Sequence, residues 1–108
     1  MKRNAYHAAD CPVGYTLDVI GSKWTGLILN ELFTGTKRFG ELRAALKGIS
    51  PKTLTERLRI FEKQGIIERK IYAEVPPRVE YSLTDRGRTL KPIIEAMRKW
   101  GARSASED

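Results

Sequence analysis

Apolar positions in this chain change their spacing from element to element. Val13, Leu17 and Ile20 share one helical face, and Gly21-Ser22 breaks that run. Residues 23–33 carry Trp24, Leu27, Ile28, Leu29, Leu32 and Phe33. That is apolar over most of a helix circumference, the pattern of a central buried helix. Thr34-Gly35-Thr36 ends it. Lys37-Arg38-Phe39 reads as a short extended lead-in, and residues 41–47 as a short helix with Leu42 and Leu46 inward. Gly48-Ile49 makes a turn. Leu54, Leu58 and Phe61 then recur at i, i+4 and i+7, one buried stripe on a helix that Gln64-Gly65 stops. Beyond it the period falls to two. Ile67, Arg69 and Ile71 alternate with Glu68, Lys70 and Tyr72, and Val79, Tyr81 and Leu83 with Glu80 and Ser82. Two strands joined by a tip at residues 73–78 are predicted. Leu90, Ile93, Met97 and Trp100 line one side of a last helix reaching about residue 103.

Polar residues sharpen these boundaries. Asp10 before Cys11-Pro12 predicts a capped helix start with Pro in the first turn. Ser50-Pro51 is a stronger start of the same kind. Thr84-Asp85 caps the last helix, and Pro92 inside it predicts a kink or a weakened turn near Leu90. Pro76-Pro77 bars regular pairing at the hairpin tip and stiffens it. The expected fold is mainly α with a small β wing: a winged helix-turn-helix with added N- and C-terminal helices. One domain, 1–108, is expected, with the wing at about 66–83 and the end helices at about 10–20 and 85–103.

Composition fits one modest globular domain of 108 residues, 41% hydrophobic and 31% charged. No apolar run approaches the roughly 18 residues of a membrane span. Residues 1–6 lack the apolar stretch of a secretory signal. A cytoplasmic protein without membrane contact is expected. One Cys and one His supply neither an intrachain disulfide nor a four-ligand zinc site. No Gly-rich phosphate loop or His-bearing triad occurs, so neither enzyme activity nor a cofactor or metal is expected. The isoelectric point is about 9.8, which suggests a polyanionic partner. Residues 37–70 hold ten Lys or Arg against four Glu, six of the seven net positive charges of the chain.

The helix over 51–64 turns Lys52, Glu56, Arg59 and Lys63 away from its apolar stripe, flanked by Thr53, Thr55 and Arg57. A DNA major groove admits one α-helix, whose N-terminal residues reach base edges. Lys52, Thr53 and Glu56 are therefore candidates for base contact. Arg57, Arg59 and Lys63 are candidates for phosphates, which position without specifying. Charges on the wet face of any amphipathic helix are the plainer reading. The setting, after a short helix and a Gly turn and before a hairpin, favours DNA. Arg78 beside the stiff tip suits a minor groove, or is an ordinary solvated turn residue. Lys37 and Arg38 precede the first helix of the motif, where a phosphate fits a helix N-terminus, or they are merely solvated.

Several segments in unbroken order over about residues 10–101 resemble the HxlR-type regulators, a MarR-like branch of winged helices. They are Cys11-Pro12-Val13, Ile20-Gly21-Ser22-Lys23-Trp24-Thr25, Arg38-Phe39-Gly40-Glu41-Leu42, Gly48-Ile49-Ser50, Leu54-Thr55-Glu56-Arg57-Leu58, Glu74-Val75-Pro76-Pro77-Arg78-Val79-Glu80-Tyr81 and Leu83-Thr84. Each is weak alone, whereas the ordered set, above all the wing segment, is specific. The resemblance implies a homodimeric transcription factor on a pseudo-palindromic operator in double-stranded DNA. It places the dimer interface on Val13, Leu17, Ile20, Leu90, Ile94, Met97 and Trp100, some of which belong instead to the intrachain core.

Some relatives sense oxidants or electrophiles through a cysteine near the first helix, and Cys11 matches that position. It stands at a helix N-terminus, where the dipole favours thiolate, with Lys2 and Arg3 nearby in sequence. A buried, inert thiol is the commoner case. His7 reads as a tail residue more readily than as a pH-responsive neighbour of Cys11. Three functions follow in order: a DNA-binding regulator, possible responsiveness to an oxidant or small molecule included; a winged helix that docks on proteins without specific DNA binding; and a thiol redox protein.

Overall fold

The computed structural model describes residues 11–107. Helix α1 (Pro12–Ile20) opens at Cys11, whose side chain makes no capping bond. The cap expected at Asp10 is thus shifted by one position, and Asp10 itself lies outside the described residues. Helix α2 (Lys23–Leu32) begins where the Ser22 hydroxyl accepts from the Thr25 amide at 3.3 Å. The buried Thr25 hydroxyl donates to the Ser22 carbonyl at 2.8 Å. Ile28, Leu29 and Leu32 are buried, but Leu27 is 41% exposed. The helix is central without being covered all round.

Strand β1 (Lys37–Arg38) is more than a lead-in. It pairs antiparallel with β3 (Arg78–Leu83), which pairs with β2 (Ile67–Tyr72), so the sheet order is β1-β3-β2. Helix α3 (Phe39–Ala45) starts two residues before the expected position, because the Glu41 carboxylate reaches back to accept from the Arg38 amide at 2.8 Å. Gly48, at φ +91°, takes the left-handed turn that a side chain would resist. Helix α4 (Pro51–Lys63) follows, capped by the Ser50 hydroxyl, which accepts from the Thr53 amide at 3.1 Å.

Leu42, Leu54 and Phe61 of the helix-turn-helix meet Ile28 and Leu29 of α2 in the centre, all without exposed surface. Ile67 and Leu83 close the core from the sheet. The alternation of the strands holds only at this base. Further out, Ile71 and Val75 are exposed, because the hairpin projects past the helices.

The last helix is two. Thr84 caps α5 (Asp85–Arg88): its hydroxyl accepts from the Gly87 amide at 3.0 Å and faces the Gly65 and Ile66 carbonyls. Gly87 lies against the Ile66 carbonyl, where a Cβ would collide. The chain then turns at Thr89-Leu90, and α6 (Lys91–Glu107) runs past the expected end. Pro92 therefore sits in the first turn of a new helix, where its missing N–H costs no bond. The kink or weakened turn expected near Leu90 is a two-residue turn at Thr89-Leu90 that separates two helices.

Candidate nucleic-acid interface

Helix α4 sorts its residues cleanly. Leu54, Leu58 and Phe61 are buried, while Lys52, Glu56, Arg59 and Lys63 are exposed. Thr53 is half-buried, and its hydroxyl accepts from Ser50 Oγ at 2.9 Å. It is part of the helix cap and has its methyl to offer a base. Arg57 is half-buried, and its Nε has no hydrogen-bond partner among the described residues.

Three residues that the sequence reading did not assign brace this helix against the wing. Glu62 of α4 pairs with Arg69 of β2 at 3.5 Å. Register places Arg69 opposite Tyr81 on β3. With Arg59 they line a polar hollow of about 150 Å³. Burial pushes the Tyr81 phenol up from its ordinary range, Arg69 and Arg59 pull it back, and Glu62 adds to the rise. The phenol therefore stays neutral and offers a hydroxyl. One signal was available: the alternation put a charged Arg69 on the same side as the buried Ile67.

On the wing, Arg78 is already engaged. Its guanidinium meets Glu74 at 3.2 Å and Glu80 at 3.4 Å, and lies 4.0 Å from the centre of the Tyr72 ring. It is neither a free reader nor a plain solvated residue. Arg38 is exposed and Lys37 half-buried on β1. At the start of α3 the Glu41 carboxylate already occupies the Arg38 amide, so a phosphate there would compete with it.

The end helices carry the other uncovered surface. Val13 is 66% exposed, Leu17 55%, Met97 50% and Trp100 72%. Ile20 and Ile94 are buried in the intrachain core, and Leu90 packs against it. An apolar groove of about 410 Å³ runs between α1, α2 and α6, lined by Leu17, Ile20, Leu27, Ile94 and Met97 among others. Cys11, a free thiol, is half-buried at the start of α1. Lys2, Arg3 and His7 lie outside the described residues.

This architecture, a helix-turn-helix backed by a three-stranded wing, is that of the winged-helix transcriptional regulators. The HxlR-like helix-turn-helix family matches residues 19–108, and the chain belongs to that family. The HTH-type transcriptional regulator YybR of Bacillus subtilis (strain 168) is 48% identical over 101 residues, 93% of this chain and 81% of that protein. The HTH-type transcriptional regulator sll1512 of Synechocystis sp. is 53% identical over 92 residues, 85% of this chain and 68% of that one. Among solved structures, the redox regulator HypR superimposes in its oxidised form with a TM-score of 0.83 at 49% identity, covering 86% of this chain and 96% of that one. Its reduced form gives 0.84 at 48%, covering 87% and 93%. The family is one of transcriptional regulators, not of enzymes.

Proposed function

We propose that this chain is a sequence-specific transcriptional regulator that binds double-stranded DNA as a homodimer on a pseudo-palindromic operator. The carrying observation is α4: an apolar stripe sunk in the core holds a cationic face outward on a rigid base. In this reading Lys52, Thr53 and Glu56 meet base edges. Arg57, Arg59, Lys63, Lys37 and Arg38 meet phosphates, and the wing with Arg78 lies along the neighbouring minor groove. Pairing through the exposed faces of α1 and α6 would bury Val13, Leu17, Met97 and Trp100. It would also set two recognition helices on one duplex, where linked binding multiplies a weak single-site affinity. The whole 1–108 chain acts as one such unit. The same reading puts the protein in the cytoplasm with its operator; no helix among the described residues is long and apolar enough to cross a membrane.

A gel shift on random duplex at two salt concentrations tests the reading. Several neutralised phosphates give a steep loss of affinity with salt. A shallow dependence, or no binding, would leave protein docking as the function. The likeness to HypR and the half-buried thiol favour an oxidant as effector. Repeating the assay with oxidant on wild type and Cys11→Ser tests that: the wild type should respond and the variant should not.

A further inference from the structure

The wing carries an ion cluster of its own. Residues opposite one another in a sheet share a face. Register puts Tyr72 beside Arg78, and it puts Arg38, Glu80 and Lys70 in one row across the three strands. On this face Arg78 is held three ways. Its Nη2 lies 3.2 Å from Glu74 Oε2, its Nε lies 3.4 Å from Glu80 Oε2, and its guanidinium stacks on Tyr72. The Lys70 ammonium stands 5.8 Å from the centre of the same ring. The Arg78 and Glu80 side chains are only 28% and 26% exposed. Arg78 Nε is shut off from solvent.

Between Tyr72 and Glu80, Arg78 is the sole cation, against Glu74 and Glu80. In the free protein the outer part of the wing, residues 72–80, therefore offers DNA no net positive charge. To reach a groove, Arg78 has to exchange two carboxylates and a ring for DNA. An isolated phosphate on the outside of a duplex, screened by salt, is a poor competitor for that guanidinium. A narrow A·T-rich minor groove, with its concentrated negative potential, is a strong one.

We propose that Glu74 and Glu80 are specificity-determining residues: they latch Arg78 to the wing, so that only a narrow minor groove draws it out. The inference rests on the reading of this chain as a DNA-binding regulator with its wing toward the duplex. The latch explains why the segment carries two acids beside a DNA-facing Arg, a costly placement if the wing served only to raise affinity.

The test is the double variant Glu74→Gln/Glu80→Gln, which keeps shape and gives up charge. Operator duplexes selected from a random pool are flanked with A·T or with G·C pairs, and affinities are measured across a salt series. The variant should bind random and G·C-flanked duplex about fivefold tighter, the scale of two partly exposed ion pairs. Its salt dependence should steepen, and its preference for A·T flanks should shrink. In an Arg78→Ala background the gain should vanish, because the carboxylates act through Arg78. A gain that persists without Arg78 would mean the acids merely repel phosphates, and would overturn the latch. Uniform weakening on all duplexes, or no change, would overturn it too. Salt-insensitive or absent binding by the wild type would instead remove the regulator reading beneath it.

Discussion

Helices α4 and α6 are both amphipathic, and their uncovered sides are opposite in chemistry. In α4 the apolar stripe is wholly buried and the wet side carries Lys52, Glu56, Arg59 and Lys63. Among the described side chains of α6 only Ile94 is buried, while Ile93, Met97 and Trp100 stand in solvent. A 17-residue helix with so little of its apolar side covered lacks the packed face from which helices of this kind draw their stability. The difference separates two kinds of partner. The face left to α4 suits a polyanion, and the face left to α6 suits another apolar surface, which in the proposed dimer is its twin.

Removing one aromatic from each helix tests that contrast at its widest. Phe61→Ala empties a site with no exposed surface and should cost about 3–5 kcal/mol of stability, read as a lower denaturation midpoint. Trp100→Ala in dilute protein should cost within about 0.5 kcal/mol. In sedimentation, though, it should weaken self-association by on the order of thirtyfold, as interfacial Trp residues do. A Trp100→Ala protein that melts early and still dimerises normally would assign the α6 stripe to folding and undo the comparison.

The same contrast governs what the residues alone disclosed. Helix α4 was legible almost to the residue, since its stripe, its Ser50-Pro51 start and its Gly65 stop are local signals that agree. Strand β1 was not: two residues carry no periodicity, and Lys37 and Arg38 become a strand only by pairing with Tyr81 and Glu80, far along the chain. Pro92 announced a disturbance in the last helix. That the helix divides there into α5 and α6, with Gly87 of α5 seated against the distant Ile66 carbonyl, is a tertiary feature that no local pattern encodes. Leu27 looked buried by composition and is exposed, on the apolar groove between α1, α2 and α6. The bracing pair Glu62–Arg69 joins a helix to a strand, and the ring on which Arg78 stacks comes from the opposite strand, so neither shows in local spacing.

Within α4 the charged side itself divides, by a smaller margin. Lys52→Ala or Glu56→Ala should reorder the preferred operators, with about 1–3 kcal/mol lost on the best one. Lys63→Ala should weaken all duplexes alike and lower the salt slope by about one. Selection from a random duplex pool, followed by salt titrations, reads both. Equal losses on every sequence for Lys52→Ala and Glu56→Ala would reduce the wet face of α4 to a phosphate clamp, with specificity lodged elsewhere.

The smallest effect concerns the joint between helix and wing. Burial holds the Tyr81 phenol above its ordinary range, and only part of that is offset by Arg69 and Arg59. A raised folded value means that the unfolded chain loses its phenolic proton first. The resulting stabilisation is fully present below the ordinary tyrosine range and is lost as pH rises through the folded value. Between about pH 9 and about pH 11 the wild type should therefore lose more stability than Tyr81→Phe. Lysines titrate in both proteins, so the difference between the two denaturation curves isolates the phenol. Parallel curves would mean that Tyr81 ionises in the folded protein as readily as in the unfolded one. The hollow between α4 and β3 would then be wet and the joint loose, and α4 would owe its orientation to the core stripe alone.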